Sequence, residues 1–243
     1  MHRSALEVIS VKKYGLPLLI LVMGLLYIFA IPSDPQAVKI LFKLIPMWLM
    51  LLYAYQGIQS TQLKERSHWI VLAGLFFCML GDGLLHWFVV GLTAFLIGHL
   101  CYMNAFFRHW RYSLLRAATI VPIALYAGYF AWRLVDALQQ DDKTGLIVPV
   151  LLYIAVIATM AWSAVMSGNR YAIAGSLLFL ASDTILSWNM FVGDIAHSGV
   201  WIMTTYYAAQ FLIATAVRSL RTRPNLSIRR GGKESKLKTI KGL

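Results

Sequence analysis

Acidic residues are scarce in this chain: ten Asp and Glu stand against 22 Lys and Arg in 243 residues, and charged residues of both signs make up only 13%. A soluble domain carries about twice that charged fraction, roughly 25%. Cysteine is nearly absent. Cys78 and Cys101 are the only two, and both lie inside apolar runs, which argues against a disulfide and makes each a small packing residue. Also missing are G-x-S-x-G, H-E-x-x-H, a Walker loop and any zinc-type Cys/His spacing, so neither a serine hydrolase nor a metalloprotease is expected, and no metal and no cofactor.

What fills the chain instead is hydrocarbon. Hydrophobic residues reach 59% and the mean hydropathy is +0.67, the composition of an all-α polytopic membrane protein. Apolar runs predict eight transmembrane helices, near Gly15–Ile31, Val38–Ile58, His68–Val90, Gly91–Phe107, Ser113–Leu134, Gly145–Met166, Tyr171–Phe191 and Gly199–Val217. The third and fourth runs are continuous. Unbroken they would measure about 60 Å at 1.5 Å per residue, twice the hydrocarbon thickness, so a tight turn is expected near Trp87 to Gly91. The first run lacks a small-x-small cleavage site after Phe29 and is kept as a span.

Eight spans put both termini on one side, and 18 of the 22 basic residues fall on that side, whereas Asp34, Asp136, Asp141, Asp142 and Asp194 fall on the other. Both termini are therefore expected in the cytoplasm. The net charge of +12 is this inside bias plus a basic tail, residues 218–243, expected to be flexible and to rest on anionic headgroups of membrane lipids. No nucleic-acid partner is expected.

Two apolar segments each contain an acid: "MLGDGLLHW" from Met79 and "LASDTILSW" from Leu180. At an offset of 101, Gly74 aligns with Gly175, Asp82 with Asp183, Leu85 with Leu186 and Trp87 with Trp188. Pro46 and Pro149 match at nearly the same offset. The pattern predicts a duplication of four spans followed by four, with halves about 15–107 and 113–217 within a membrane domain of residues 1–217. Units with an even number of spans repeat in parallel, about an axis along the membrane normal. Asp82 and Asp183 would then share a depth, about eight residues or roughly 12 Å from the outer end of their spans.

A buried carboxylate costs roughly 2.5–3.5 kcal/mol on insertion scales, so each acid must face protein interior or water. Helical rise brings His99, Tyr206, Tyr207 and Gln210 to the same layer, with Lys43 slightly shallower. Tyr102, one turn from His99, extends its polar stripe, and His86, at i+4 from Asp82, shares the face of that acid. Lys43 can supply the counter-cation, and Pro46 frees a backbone carbonyl within the same turn. Asn189 lies about 120° round the helix from Asp183, at the mouth of the layer. Two inward carboxylates without a nucleophile motif point to acid and base chemistry on a bond that yields to protonation.

At these residues the chain resembles the YhhN family, the lysoplasmalogenases. The similarity is carried by K-x-x-P at Lys43 to Pro46, G-D-x-x-L at Gly81 to Leu85, "GLTAFLIGHLCYMNAF" with His99 and Tyr102, "SDTILSWNMF" with Ser182, Asp183 and Asn189, and "TTYYAAQFLIA" with Tyr206, Tyr207 and Gln210. Membership implies eight spans and hydrolysis of the vinyl ether bond of a lysophospholipid, giving a fatty aldehyde and a glycerophospho-base. Asp82 and Asp183 would divide the roles of general acid and base, the others supporting them, and sequence symmetry leaves open which does which. The alternative from the residues alone is a proton-coupled lipid transporter or flippase using the same aspartates. A bacterial plasma membrane is the expected location, with an internal eukaryotic membrane as the alternative.

Overall fold

The computed structural model describes residues 2–32 and 34–220, with side chains from residue 14 onward. The expectation for the basic tail lies, from residue 221, outside the described residues. Within them there is no strand. The helices are α1 (His2–Phe29), α2 (Gln36–Gln59), α3 (Arg66–Leu84), α4 (Phe88–Phe107), α5 (Leu114–Ala118), α6 (Ile120–Gln140), α7 (Ile147–Ser167), α8 (Arg170–Phe191) and α9 (Ser198–Ala216).

Local chemistry sets the boundaries. Glu65 and His68 form a reciprocal capping box at the start of α3. Gly168 closes α7 in the left-handed conformation, φ 67°, and the Asn169 side chain accepts from the backbone N–H groups of Tyr171 and Ala172 to open α8. Two residues thus reverse the chain. The expected turn after the third span comes earlier than the hydropathy suggests, because α3 stops at Leu84 and α4 begins at Phe88. Gly91 permits this reversal: a Cβ there would stand 2.6 Å from the Cα of Leu85.

Among the described residues six segments are long and apolar enough to cross a membrane: α2, α3, α4, Leu114–Gln140, Thr144–Ser167 and α8. The protein is a multi-pass membrane protein on that ground. The apolar part of α1, Tyr14–Phe29, is shorter, and α9 is diluted by Thr204, Thr205, Tyr206, Tyr207 and Gln210.

The closest helix pairs are α3 with α4 and α8 with α9, and both rest on small residues at the crossing. A Cβ on Gly98 would come within 2.6 Å of Cys78 Sγ, and one on Gly175 within 2.9 Å of the Ala209 carbonyl. α7 packs on α4 and α2 on α9, α3 meets α9 directly, and α1 and α6 lie outside. The outer helices differ in seating: α1 touches α2 and α9, α6 touches α7 and α8. One end of the bundle is laced by polar bonds, His68 Nε2 to the Leu220 carbonyl, His109 Nε2 to Ser67 Oγ, and Asn169 Nδ2 to Ser219 Oγ. The acids lie toward the other end.

Candidate active site

Asp82 is buried on α3 and holds two partners. Its Oδ1 is 3.0 Å from Lys43 Nζ on α2, and its Oδ2 accepts the hydroxyl of Tyr206 on α9 at 2.6 Å. The tyrosine is itself the acceptor of a longer chain, in which Tyr102 Oη donates to Gln210 Oε1 at 2.7 Å and Gln210 Nε2 donates to Tyr206 Oη at 3.2 Å. Every proton in this series points toward the carboxylate, the orientation in which successive hydrogen bonds polarise one another. Lys43 is fixed from behind. Pro46 removes the N–H that would meet the carbonyl of Phe42, and the next carbonyl, that of Lys43, accepts from Tyr207 Oη at 2.9 Å.

Asp183, on α8, has a different setting. Its Oδ2 accepts a short hydrogen bond from Tyr153 Oη on α7, and among the described residues no cation pairs with it. It lies in electrostatic reach of Asp82. Unlike Asp82 it is only half-buried, because it borders two crevices. One, of ≈ 30 Å³, lies among Leu85, Leu92, Phe95 and Tyr153; the other, of ≈ 20 Å³, lies among Tyr126, Phe130, Ile157 and Thr184. Each has room for about one water.

Aromatic rings fill the space between the two acids. Phe179 stands edge-on to Phe95, Tyr206 and His99, with centroids 6.4, 5.3 and 4.5 Å away, and His99 also meets Tyr153 and Tyr102. His99 is fully buried. Its polar contact is with the backbone of Phe95 one turn earlier, too loose to satisfy either ring nitrogen. A buried imidazole with neither nitrogen satisfied is unusual in a protein interior.

Most of the predicted residues converge: Lys43, Asp82, His99, Tyr102, Asp183, Tyr206, Tyr207 and Gln210 form one connected set. Three do not. His86 was expected to share the face of Asp82, but α3 ends at Leu84, and the exposed imidazole instead meets Gln36 Nε2 at 3.2 Å. Asn189 Oδ1 accepts from the N–H of Ile195 at 2.9 Å and so closes the loop after α8. Ser182 donates to the Ile202 carbonyl at 3.0 Å, tying α8 to α9. The early end of α3 also corrects the equal placing of the acids, since Asp82 is two residues from its helix end and Asp183 eight. Tyr153 was missed. The only signal for it was its position one turn after Pro149 in an otherwise apolar span.

Fold and site together define an integral membrane protein with an acid site enclosed by its own helices, built from α2, α3, α4, α7, α8 and α9. The chain belongs to the YhhN family, whose model matches residues 38–217, from α2 to the end of α9. Lysoplasmalogenase TMEM86B of Homo sapiens is 36% identical over 154 residues, covering 61% of this chain and 64% of the human protein, just under two thirds of its length. The Sus scrofa protein of the same name is 31% identical over 205 residues, 82% of this chain and 84% of its own. A lysoplasmalogenase of Mycobacterium tuberculosis is 32% identical over 162 residues, 62% of this chain and 60% of its own. No solved structure matches.

Proposed function

We propose that this protein is a membrane-embedded lysoplasmalogenase, hydrolysing the vinyl ether bond of a lysoplasmalogen to a fatty aldehyde and a glycerophospho-base. Relatives carrying that name across most of the chain support the activity. The observation that carries the mechanism is the inequality of the two acids, one facing an ammonium and the other a phenol.

A carboxylate paired with Lys43 is the ionised member; the one without a cation is the member that holds a proton. Asp183 is therefore the general acid. It gives its proton to the β-carbon of the vinyl ether, where the alkene electron pair forms the new C–H bond and leaves an oxocarbenium ion. Asp82 takes a proton from water as that water adds to the cation, giving a hemiacetal. Asp82 then returns the proton to the glycerol oxygen as the C–O bond breaks. The hemiacetal hydroxyl proton goes back to Asp183, and both acids are reset. Water is consumed once, as in acetal cleavage by paired carboxylates.

The same reading takes the eight long helices as spans in two parallel halves, 15–107 and 113–217, with both termini cytoplasmic. Support comes from the recurring neighbours, α3 on α4 as α8 on α9, and α2 on α9 as α7 on α4. The decisive assay incubates detergent-purified protein with lysoplasmenyl-ethanolamine and traps aldehyde. Aldehyde release without any membrane gradient is expected; lipid recovered intact would refute the activity and return the transporter reading.

A further inference from the structure

At the end of the bundle away from the acids lies a polar cavity of ≈ 260 Å³. Its walls are the segment after α4, with His109 and Arg111, the turn between α7 and α8, residues 167–171, and the end of α9, with Ser219 and Leu220. Arg170 is 13 residues before Asp183, about 20 Å along α8 at 1.5 Å per residue. The cavity is therefore separate from the acid site.

Hydrogen bonds and close contacts hold its walls in place. The Arg111 N–H donates to the Met166 carbonyl at 2.8 Å, which fixes the segment after α4 against the last turn of α7. Asn169 Nδ2 donates to Ser219 Oγ at 2.8 Å and ties the turn to the end of α9. The Arg116 guanidinium closes over Gly168, where a Cβ would stand 2.5 Å from it. His109 and Ser167 are buried.

The charge of the lining has one sign. Arg111 and Arg170 line the cavity, Arg116 abuts it at Gly168, and among the described residues no Asp or Glu is in the lining. Glu65 stands 3.6 Å from His109 Nε2 but does not line the cavity. The first N–H groups of α8 are already engaged, since Asn169 Oδ1 accepts from Tyr171 and Ala172. Recognition therefore falls to side chains. A guanidinium carries five N–H donors; Arg170 gives one to Tyr171 Oη at 3.0 Å, and the Arg111 guanidinium has no hydrogen bond or ion pair among the described residues. The sequence put these arginines on one side of the membrane, and packing brings them round one cavity.

We propose that this cavity binds a phosphate group, carried by an anionic lipid of the adjoining leaflet or free in solution, and that the bound anion braces the ends of α4, α7, α8 and α9. The planar guanidinium fork matches phosphate oxygens, and basic pockets between membrane helices suit anionic headgroups. Trp110, Tyr112, Leu114 and Leu115, beside Arg111, are exposed and offer apolar surface to the chains of such a lipid. The four braced helices carry His99, Tyr153, Asp183 and Tyr206. The site does not depend on the reaction assigned to those residues.

Thermal unfolding of the full chain in detergent tests it. Phosphatidylglycerol, or inorganic phosphate in a separate arm, should raise the unfolding temperature by about 5 °C at a concentration a hundredfold above its dissociation constant. A rise with the lipid alone identifies a headgroup site; a rise with inorganic phosphate shows that the free anion suffices. Arg111→Gln with Arg170→Gln should lose the rise. Lys64→Gln with Arg108→Gln, which removes the same charge from outside the lining, should keep it. No rise above phosphatidylcholine and chloride controls, or the same response in both double variants, would overturn the site. Should the cavity variant fail to fold, the unmodified protein still decides. Modification of Arg111 and Arg170 by p-hydroxyphenylglyoxal, mapped by peptide mass spectrometry, should slow several-fold with the stabilising probe while Arg108 reacts as before. Equal rates at all three arginines with and without the probe would overturn the proposal.

Discussion

An ammonium faces Asp82 and a phenol faces Asp183, so neutralising substitutions at the two residues remove different functions. Asp183→Asn and Asp82→Asn should each lower kcat by about 10²- to 10⁴-fold, the usual range for loss of a general acid or base, in protein that still elutes as a folded species. A variant retaining more than about a tenth of the rate would remove its residue from the proton path. Running the wild-type reaction in D₂O separates the chemistry further: protonation at carbon must leave one deuterium on the aldehyde carbon next to the carbonyl. Lys43→Met takes away the cation and should lower kcat while the protein still binds lysolipid; an unchanged rate would mean that Lys43 only reaches toward the interface. Tyr206→Phe leaves Asp82 one hydrogen bond short. Interhelical hydrogen bonds in membrane proteins average about 0.6 kcal/mol and reach about 1.7, and a stability loss in that range is expected by thermal unfolding in detergent.

The helices are held together chiefly by close approach, because lipid tails are as apolar as the side chains they replace. Gly74, Gly98 and Cys78 bring α3 against α4, and the space at Gly98 admits no side chain. Gly98→Val should therefore lower the unfolding temperature sharply and abolish activity together with folding. Gly128→Val, on α6 where nothing stands within 4 Å, should be tolerated in the same measurement. The contrast matters because both glycines look alike in an apolar run. Spacing could identify the runs, but not which glycine meets a neighbouring backbone. The end of α3 was equally hidden: Leu84, Leu85, Trp87, Phe88 and Val89 are all apolar, so hydropathy carries on through a turn made possible by Gly91.

The bias of basic residues puts the acid end of the bundle on the non-cytoplasmic face, an expectation that exposed residues at the two ends can test. Trp87, at that end, and Tyr112, at the opposite end, are 62% and 72% exposed. In a protein lacking Cys78 and Cys101, Trp87→Cys should react with a membrane-impermeant thiol reagent added to intact cells, and Tyr112→Cys only after permeabilisation. The reverse pattern would overturn the cytoplasmic assignment of the termini. Apolar runs of about 20 residues are enough to read the chain as helical and membrane-spanning, because a helix of that length bonds all its backbone polar groups within itself while crossing the hydrocarbon. The scarcity of acids made Asp82 and Asp183 legible, since a carboxylate within an apolar run has few other reasons to be there. That the two acids are unequal is visible only once the helices are packed. Their inequality comes from Lys43, Tyr206 and Tyr153 on three other helices, and no spacing along one helix records which side chains the neighbouring helices will bring to it.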